Sequence, residues 1–115
     1  MHPSYLKAHE LSGRVIAAAI EVHRRLGPGL LESVYERCFL HELALNQIKA
    51  SAQVPVKFEY KGLQFNEGFR LDVLVENCLV VELKAVDSVL PVHKTQILSY
   101  MKLADVPVGL LLIFP

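Results

Sequence analysis

The chain has no excess of charge of either sign: twelve lysines and arginines balance twelve aspartates and glutamates over 115 residues. A neutral protein that meets nucleic acid must concentrate positive charge locally, and the one dense basic run is His23-Arg24-Arg25. Cysteine is scarce. Cys38 and Cys78 stand far apart with no C-x-x-C pair, so they read as reduced, partly buried thiols and not as a disulfide framework. Long apolar runs are also missing. The longest, Gly109 to Phe114, is far too short to span a bilayer, and Met1 to Lys7 lacks the apolar core of a signal peptide. These absences point to a cytoplasmic protein with no membrane partner.

What the chain does have is apolar residues, 52% of the total against 21% charged, a globular balance. The length suits one domain over residues 1–115, able to bury a core without disulfides. The apolar surplus leaves room for a partner surface, so homo-oligomerisation is compatible with it.

The first half reads as helix. From about Glu10 to Leu26, the residues Leu11, Val15, Ala18, Ala19, Val22 and Leu26 recur at helical spacing. Leu26-Gly27-Pro28-Gly29 then breaks the helix. A second helix is expected from about Leu30 to Asn46, with a stripe of Leu31, Val34, Cys38, His41 and Leu45, and Tyr35 and Phe39 alongside. The period then changes to two. Strands are expected at Val54 to Tyr60, Phe69 to Val75 and Leu79 to Lys84, with a turn at Lys61-Gly62. Pro91 suits the first position of a helix reaching about Ala104, and Val108 to Phe114 is a last apolar strand, expected to be covered on both faces.

The chemistry concentrates in the central hairpin. Phe69, Leu71, Val73 and Val75 are expected on one face of their strand, and Leu79, Val81 and Leu83 on one face of the next. If both sets face one core, a connection of about three residues around Asn77 pairs Val75 with Leu79. That register sets Asp72 opposite Glu82 and Arg70 opposite Lys84. Two adjacent carboxylates repel, and a hard divalent ion such as Mg²⁺ relieves them while activating water. Lys84 could position that water or stabilise developing charge. An ordinary pair of surface ion pairs, Asp72 and Glu82 with Arg70 and Lys84, is the alternative, but it explains charges inside a covered sheet less well.

Two flanking features bear on this. Glu32 is expected in the first turn of the second helix, at its third position, where an acid also suits the helix dipole and cap. His93, Gln96 and Tyr100 project from one face of the last helix, opposite Ile97, Met101 and Ala104, a pattern that solvation alone would also produce.

Taken together, the blocks Ala17-Ala18-Ala19-Ile20-Glu21-Val22-His23, Gly29-Leu30-Leu31-Glu32-Ser33-Val34-Tyr35, Gln53-Val54-Pro55-Val56, Leu71-Asp72-Val73-Leu74-Val75, Val81-Glu82-Leu83-Lys84-Ala85-Val86 and the segment from Pro91 to Lys102 resemble the GxxExxY family of the PD-(D/E)xK nuclease superfamily. Leu71 stands where the superfamily's signature carries proline, and relatives are expected to run a little past the position of Pro115. The resemblance implies an α/β fold of the restriction-endonuclease kind, a mixed sheet of about four strands flanked by helices. It implies Mg²⁺ or Mn²⁺ bound by Asp72, Glu82 and Glu32, with Lys84 as the catalytic lysine. Gln96 and Tyr100 look like a Q-x-x-x-Y element that touches substrate or positions the active-site groups, with His93 on the same side. The expected activity is metal-dependent hydrolysis of nucleic acid, DNA before RNA, and exo- and endonucleolytic cleavage fit equally. The alternative is a nucleic-acid- or partner-binding module that keeps the site and turns over poorly.

Overall fold

The structure, a computed structural model, describes residues 1–66 and 68–115. Helices α1 (Tyr5–Leu26) and α2 (Glu32–Leu45) lead into β1 (Ala50–Pro55) and a small hairpin of β2 (Phe58–Tyr60) and β3 (Leu63–Phe65). Strands β4 (Arg70–Val75) and β5 (Leu79–Lys84), helix α3 (Pro91–Ala104) and strand β6 (Val108–Ile113) follow. Four strands form a mixed sheet in the order β1-β4-β5-β6, antiparallel except for β5 with β6. Helix α3 is the crossover that a parallel pair requires. The expected α/β class and four-stranded mixed sheet are both present.

Helix α1 starts at Tyr5 and not near Glu10, because Ala8 extends the buried stripe of Val15, Ala18, Ala19 and Val22 by two turns. Gly27 ends it with φ +74°, and its N–H bonds back to the His23 carbonyl. In α2 the buried stripe is Tyr35, Phe39 and Leu43. The expected stripe through Leu31, Val34 and Leu45 is exposed, so the larger aromatic rings, one position around the helix, take the core. The expected strand from Val54 to Tyr60 divides in two. Pro55, with no N–H for a ladder, is tolerated on edge strand β1, and the chain turns away after it. The turn at Lys61-Gly62 between β2 and β3 falls where expected, with φ +46° and +92°.

Helices cover both faces of the sheet. On one side Val15, Val22, Tyr35, Phe39 and Leu43 pack with Val73, Val75, Leu79, Val81 and Leu83. On the other, Ile97 of α3 packs with Leu71 and Val80, and Val54, Leu74 and Met101 join the same cluster. Each fully buried Leu or Val contributes roughly 1.5–3 kcal/mol. A Cβ on Gly109 would meet the Met101 Sδ at 2.7 Å, so α3 seats on β6 only because that side chain is missing. Strand β6 is covered on both faces as expected, Val108, Leu110 and Leu112 packing on the first cluster and Leu111 on the second, but as an edge strand its residues are each half-buried. Among the described residues, no helix is long and apolar enough to cross a membrane.

Leu71 and Val73 are two residues apart yet bury into opposite cores. The expectation that Phe69, Leu71, Val73 and Val75 share one face therefore fails at Asp72, where β4 rotates about its own axis. Strand β1 does the same beside it: Ala50 packs with the first cluster and Val54 with the second.

Candidate active site

The β4–β5 ladder follows the expected register, Val75↔Leu79, Leu74↔Val80 and Val73↔Val81, and its recorded pairs end there. Glu76 and Asn77 both take left-handed backbone angles in the connecting turn, and the Cys78 N–H closes it onto the Val75 carbonyl at 3.0 Å. Beyond Val73 the strands part company. Strand β4 stays beside β1 as far as Arg70↔Pro55, while β5 stays beside β6 as far as Lys84↔Ile113. The expected pairing of Arg70 with Lys84 is therefore replaced by a fork in the sheet.

Asp72 and Glu82 fill that fork. The Leu83 N–H donates to Asp72 Oδ2 at 3.0 Å, and the Asp72 N–H donates to Glu82 Oε1 at 3.3 Å. Each carboxylate is thus fastened to the opposite strand, in place of the backbone ladder. Glu82 is only 5% exposed and is the buried charged residue among those described. Burial, then the charge of Asp72 and a hydrogen bond to its side chain, push its carboxyl up to about 8, against smaller pulls from the Asp72 N–H and then Lys84.

Lys84 lies two residues further along β5, half-buried, with its carbonyl taking the Phe114 N–H at 2.9 Å. Among the described residues its ammonium makes no ion pair within 4.0 Å. Glu32 is the first residue of α2, not the third, and its carboxylate does not cap the helix. Its Oε1 instead accepts the Ala85 N–H at 3.0 Å, which brings it to the end of β5 next to Lys84 in the chain.

One turn further along α2, Glu36 is half-buried and joins the same neighbourhood. Burial, and then the charges of Asp72 and Glu32, hold its carboxyl above the ordinary range, against a hydrogen bond from Gln53. Glu36 and Gln53 received no role from the sequence. The available signal for Glu36 was its spacing of four from Glu32, which puts both acids on one helix face.

The three expected substrate-side residues all lie on α3. His93 Nδ1 accepts the Leu90 N–H at 3.1 Å, so the ring caps α3. Gln96 is exposed, and Tyr100 sets its ring edge-on to Phe69 with centroids 6.1 Å apart. Among the described residues, no hydrogen bond joins His93, Gln96 or Tyr100 to Asp72, Glu82 or Glu32. The basic run near the end of α1 is partly offset within the helix: Arg24 and Arg25 both reach the one carboxylate of Glu21 at 2.8 Å.

Tyr35, buried at 1% exposure, holds the loop that enters α2. Its hydroxyl donates to the Gly27 carbonyl at 2.6 Å and accepts the Leu30 N–H at 3.2 Å. Tyr35→Phe should leave both backbone groups short of a partner and lower stability by about 1–3 kcal/mol in thermal unfolding. An unchanged midpoint would mean that water replaces the hydroxyl.

Among the described residues, no group of three or more His, Cys, Asp or Glu side chains comes together as a metal-holding cluster. The donor set at the fork is therefore two carboxylates. That set suits a hard cation such as Mg²⁺, which keeps several waters and takes one or two protein carboxylates, better than an ion needing a closed protein cage. A surface hollow of about 540 Å³, with Val22, Val34, Cys38 and His41 in its lining, lies between α1 and α2 and includes none of the fork residues.

The fold and the fork define an α/β protein with acids gathered where two central strands of a mixed sheet diverge. A family model described as the PD-(D/E)XK nuclease superfamily matches residues 9–115. The chain belongs to that superfamily, whose members typically use divalent metals. No curated protein and no solved structure matches it.

Proposed function

We propose that this chain is a divalent-metal-dependent nuclease that hydrolyses phosphodiester bonds in nucleic acid, DNA before RNA. We assign it to the GxxExxY branch of its superfamily, on the motif from Gly29 to Tyr35, as one domain over residues 1–115 in the cytoplasm. The observation that carries this reading is the pairing of Asp72 with the buried Glu82 at the fork. Two carboxylates held together in that setting are stable as anions only with a cation between them.

Asp72 and Glu82 are the proposed ligands of Mg²⁺ or Mn²⁺, with Glu32 reaching the same ion through water. The ion would supply a nucleophilic water and neutralise charge on the phosphate. Lys84 would orient that water and offset negative charge as the phosphate oxygens develop it. The two strand-to-strand hydrogen bonds fix the carboxylates before substrate arrives, so little reorganisation accompanies the reaction. Gln96 and Tyr100, with His93 at the head of α3, would meet the substrate from the α3 side.

A second reading, a nucleic-acid- or partner-binding module with weak turnover, draws on the zero net charge and on the capture of Arg24 and Arg25 by Glu21. Incubation with linear, circular and single-stranded DNA and with RNA, in Mg²⁺, Mn²⁺ or EDTA, separates the two. The nuclease reading expects cleavage in metal and none in EDTA. Binding without cleavage in every metal would favour the module.

A further inference from the structure

Gln53 sits in the interior of β1 with φ +51°, left-handed backbone that a side-chain-bearing residue rarely adopts within a strand. The β1–β4 register runs through Ala52↔Val73 and Val54↔Leu71 but omits the pair between them, Gln53 with Asp72. The strained residue is therefore the one directly across from the proposed metal ligand. It is also the point at which β1 changes the face it presents to the two cores.

Gln53 is exposed, so packing does not impose this conformation. Its amide reaches from the sheet to α2 and donates to both oxygens of Glu36, each at 3.2 Å, across 17 residues of sequence. The Arg70 guanidinium lies 3.5 Å from the Gln53 carbonyl, a long contact. A regular strand conformation here would cost no strain and would allow the missing ladder pair. Left-handed backbone at a non-glycine residue persists where neighbouring contacts over-determine it, and such residues gather at functional sites.

We propose that Gln53 is a positioning residue for the metal site: its turned backbone and its amide hold Glu36 so that a further carboxylate faces Asp72, as an outer acceptor for water on a divalent cation. This rests on the nuclease reading of the fork and adds Glu36 and Gln53 to it. Groups that orient a metal's ligands and waters change affinity by about 10–100-fold when removed.

The test measures Mn²⁺ affinity by calorimetry and thermal stability of the metal-free protein, for wild type, Gln53→Asn, Gln53→Gly, Glu36→Gln, the double variant Gln53→Asn/Glu36→Gln, and Glu82→Gln. Asparagine tolerates left-handed backbone but is one methylene too short for Glu36, and glycine removes the strain altogether. The expected result is Mn²⁺ affinity weaker by about 10-fold or more in Gln53→Asn, Gln53→Gly and Glu36→Gln. The double variant should bind no worse than the weaker single variant, because both act through one contact. Gln53→Gly should melt at or above the wild-type temperature, which a residue with a merely structural role would not do while losing affinity. Wild-type affinity in Gln53→Asn and Gln53→Gly, with binding lost in Glu82→Gln, would overturn this inference and leave the nuclease reading standing. Additive losses in the double variant would also overturn it. Absence of Mn²⁺ binding by the wild type would overturn both.

Discussion

Glu82→Gln should make the metal-free protein more stable at pH 8, although it removes a residue at the centre of the proposed site. The folded-state carboxyl of Glu82 is pushed up to about 8 from an ordinary value of 4.5, first by burial and then by Asp72. A raised carboxyl pKa means that the folded state holds its proton more tightly than the unfolded chain does. The penalty is absent below about 4.5, grows as pH rises through the interval, and is complete above about 8. Its full size is on the order of 5 kcal/mol at 1.36 kcal/mol per pH unit. That corresponds to a shift in unfolding temperature of roughly 20 °C for a domain of this size. Wild-type stability in EDTA should therefore fall between pH 5 and pH 8, while the Glu82→Gln protein stays flatter across the same range. Added Mg²⁺ should remove most of the wild-type slope, because a cation takes over the work of the proton. A wild-type protein with no slope in EDTA would show that Glu82 titrates normally.

Lys84→Ala and Asp72→Asn should both abolish cleavage but differ in metal binding. Loss of the lysine removes charge stabilisation and water orientation, worth at least about a hundred-fold in rate. It also removes a positive charge close to the carboxylates, so Mn²⁺ affinity should hold or tighten. Asp72→Asn takes away a ligand, so affinity and rate should fall together. Asparagine can still accept the Leu83 N–H with its carbonyl oxygen, so the fork should remain closed and the protein folded. Equal losses of affinity in the two variants would place Lys84 in the structure of the fork and not in the chemistry. Residual activity in both would trace the cleavage to other residues.

Much of this arrangement was legible because the β-period is two. Once Val75 and Leu79 are set opposite each other by a short turn, Asp72 and Glu82 must come level, and the observed ladder has that register. Helix boundaries at Gly27 and Pro91 were equally legible, since each residue acts through its own backbone. The fork was not. A strict alternation carries Leu71 onto the same face as Val73, and only the positive φ at Gln53 and the divergence of β4 from β5 move it to the other core. That positive φ belongs to a glutamine, a residue with no left-handed preference, so nothing local announces it. The choice of Tyr35, Phe39 and Leu43 over Val34 and Leu45 as the buried stripe of α2 depended on which rings fit against the sheet, a tertiary matter. Glu36 escaped notice for the same reason, because its role depends on where α2 meets β1.

The most direct test is crystallographic: crystals of the protein grown or soaked in Mn²⁺, with anomalous diffraction data at the manganese edge. The account predicts one strong peak in the fork, within bonding distance of oxygens of both Asp72 and Glu82, with waters completing the shell. A fork without a peak, with the two carboxylates still fastened across the strands in Mn²⁺ at neutral pH, would contradict it.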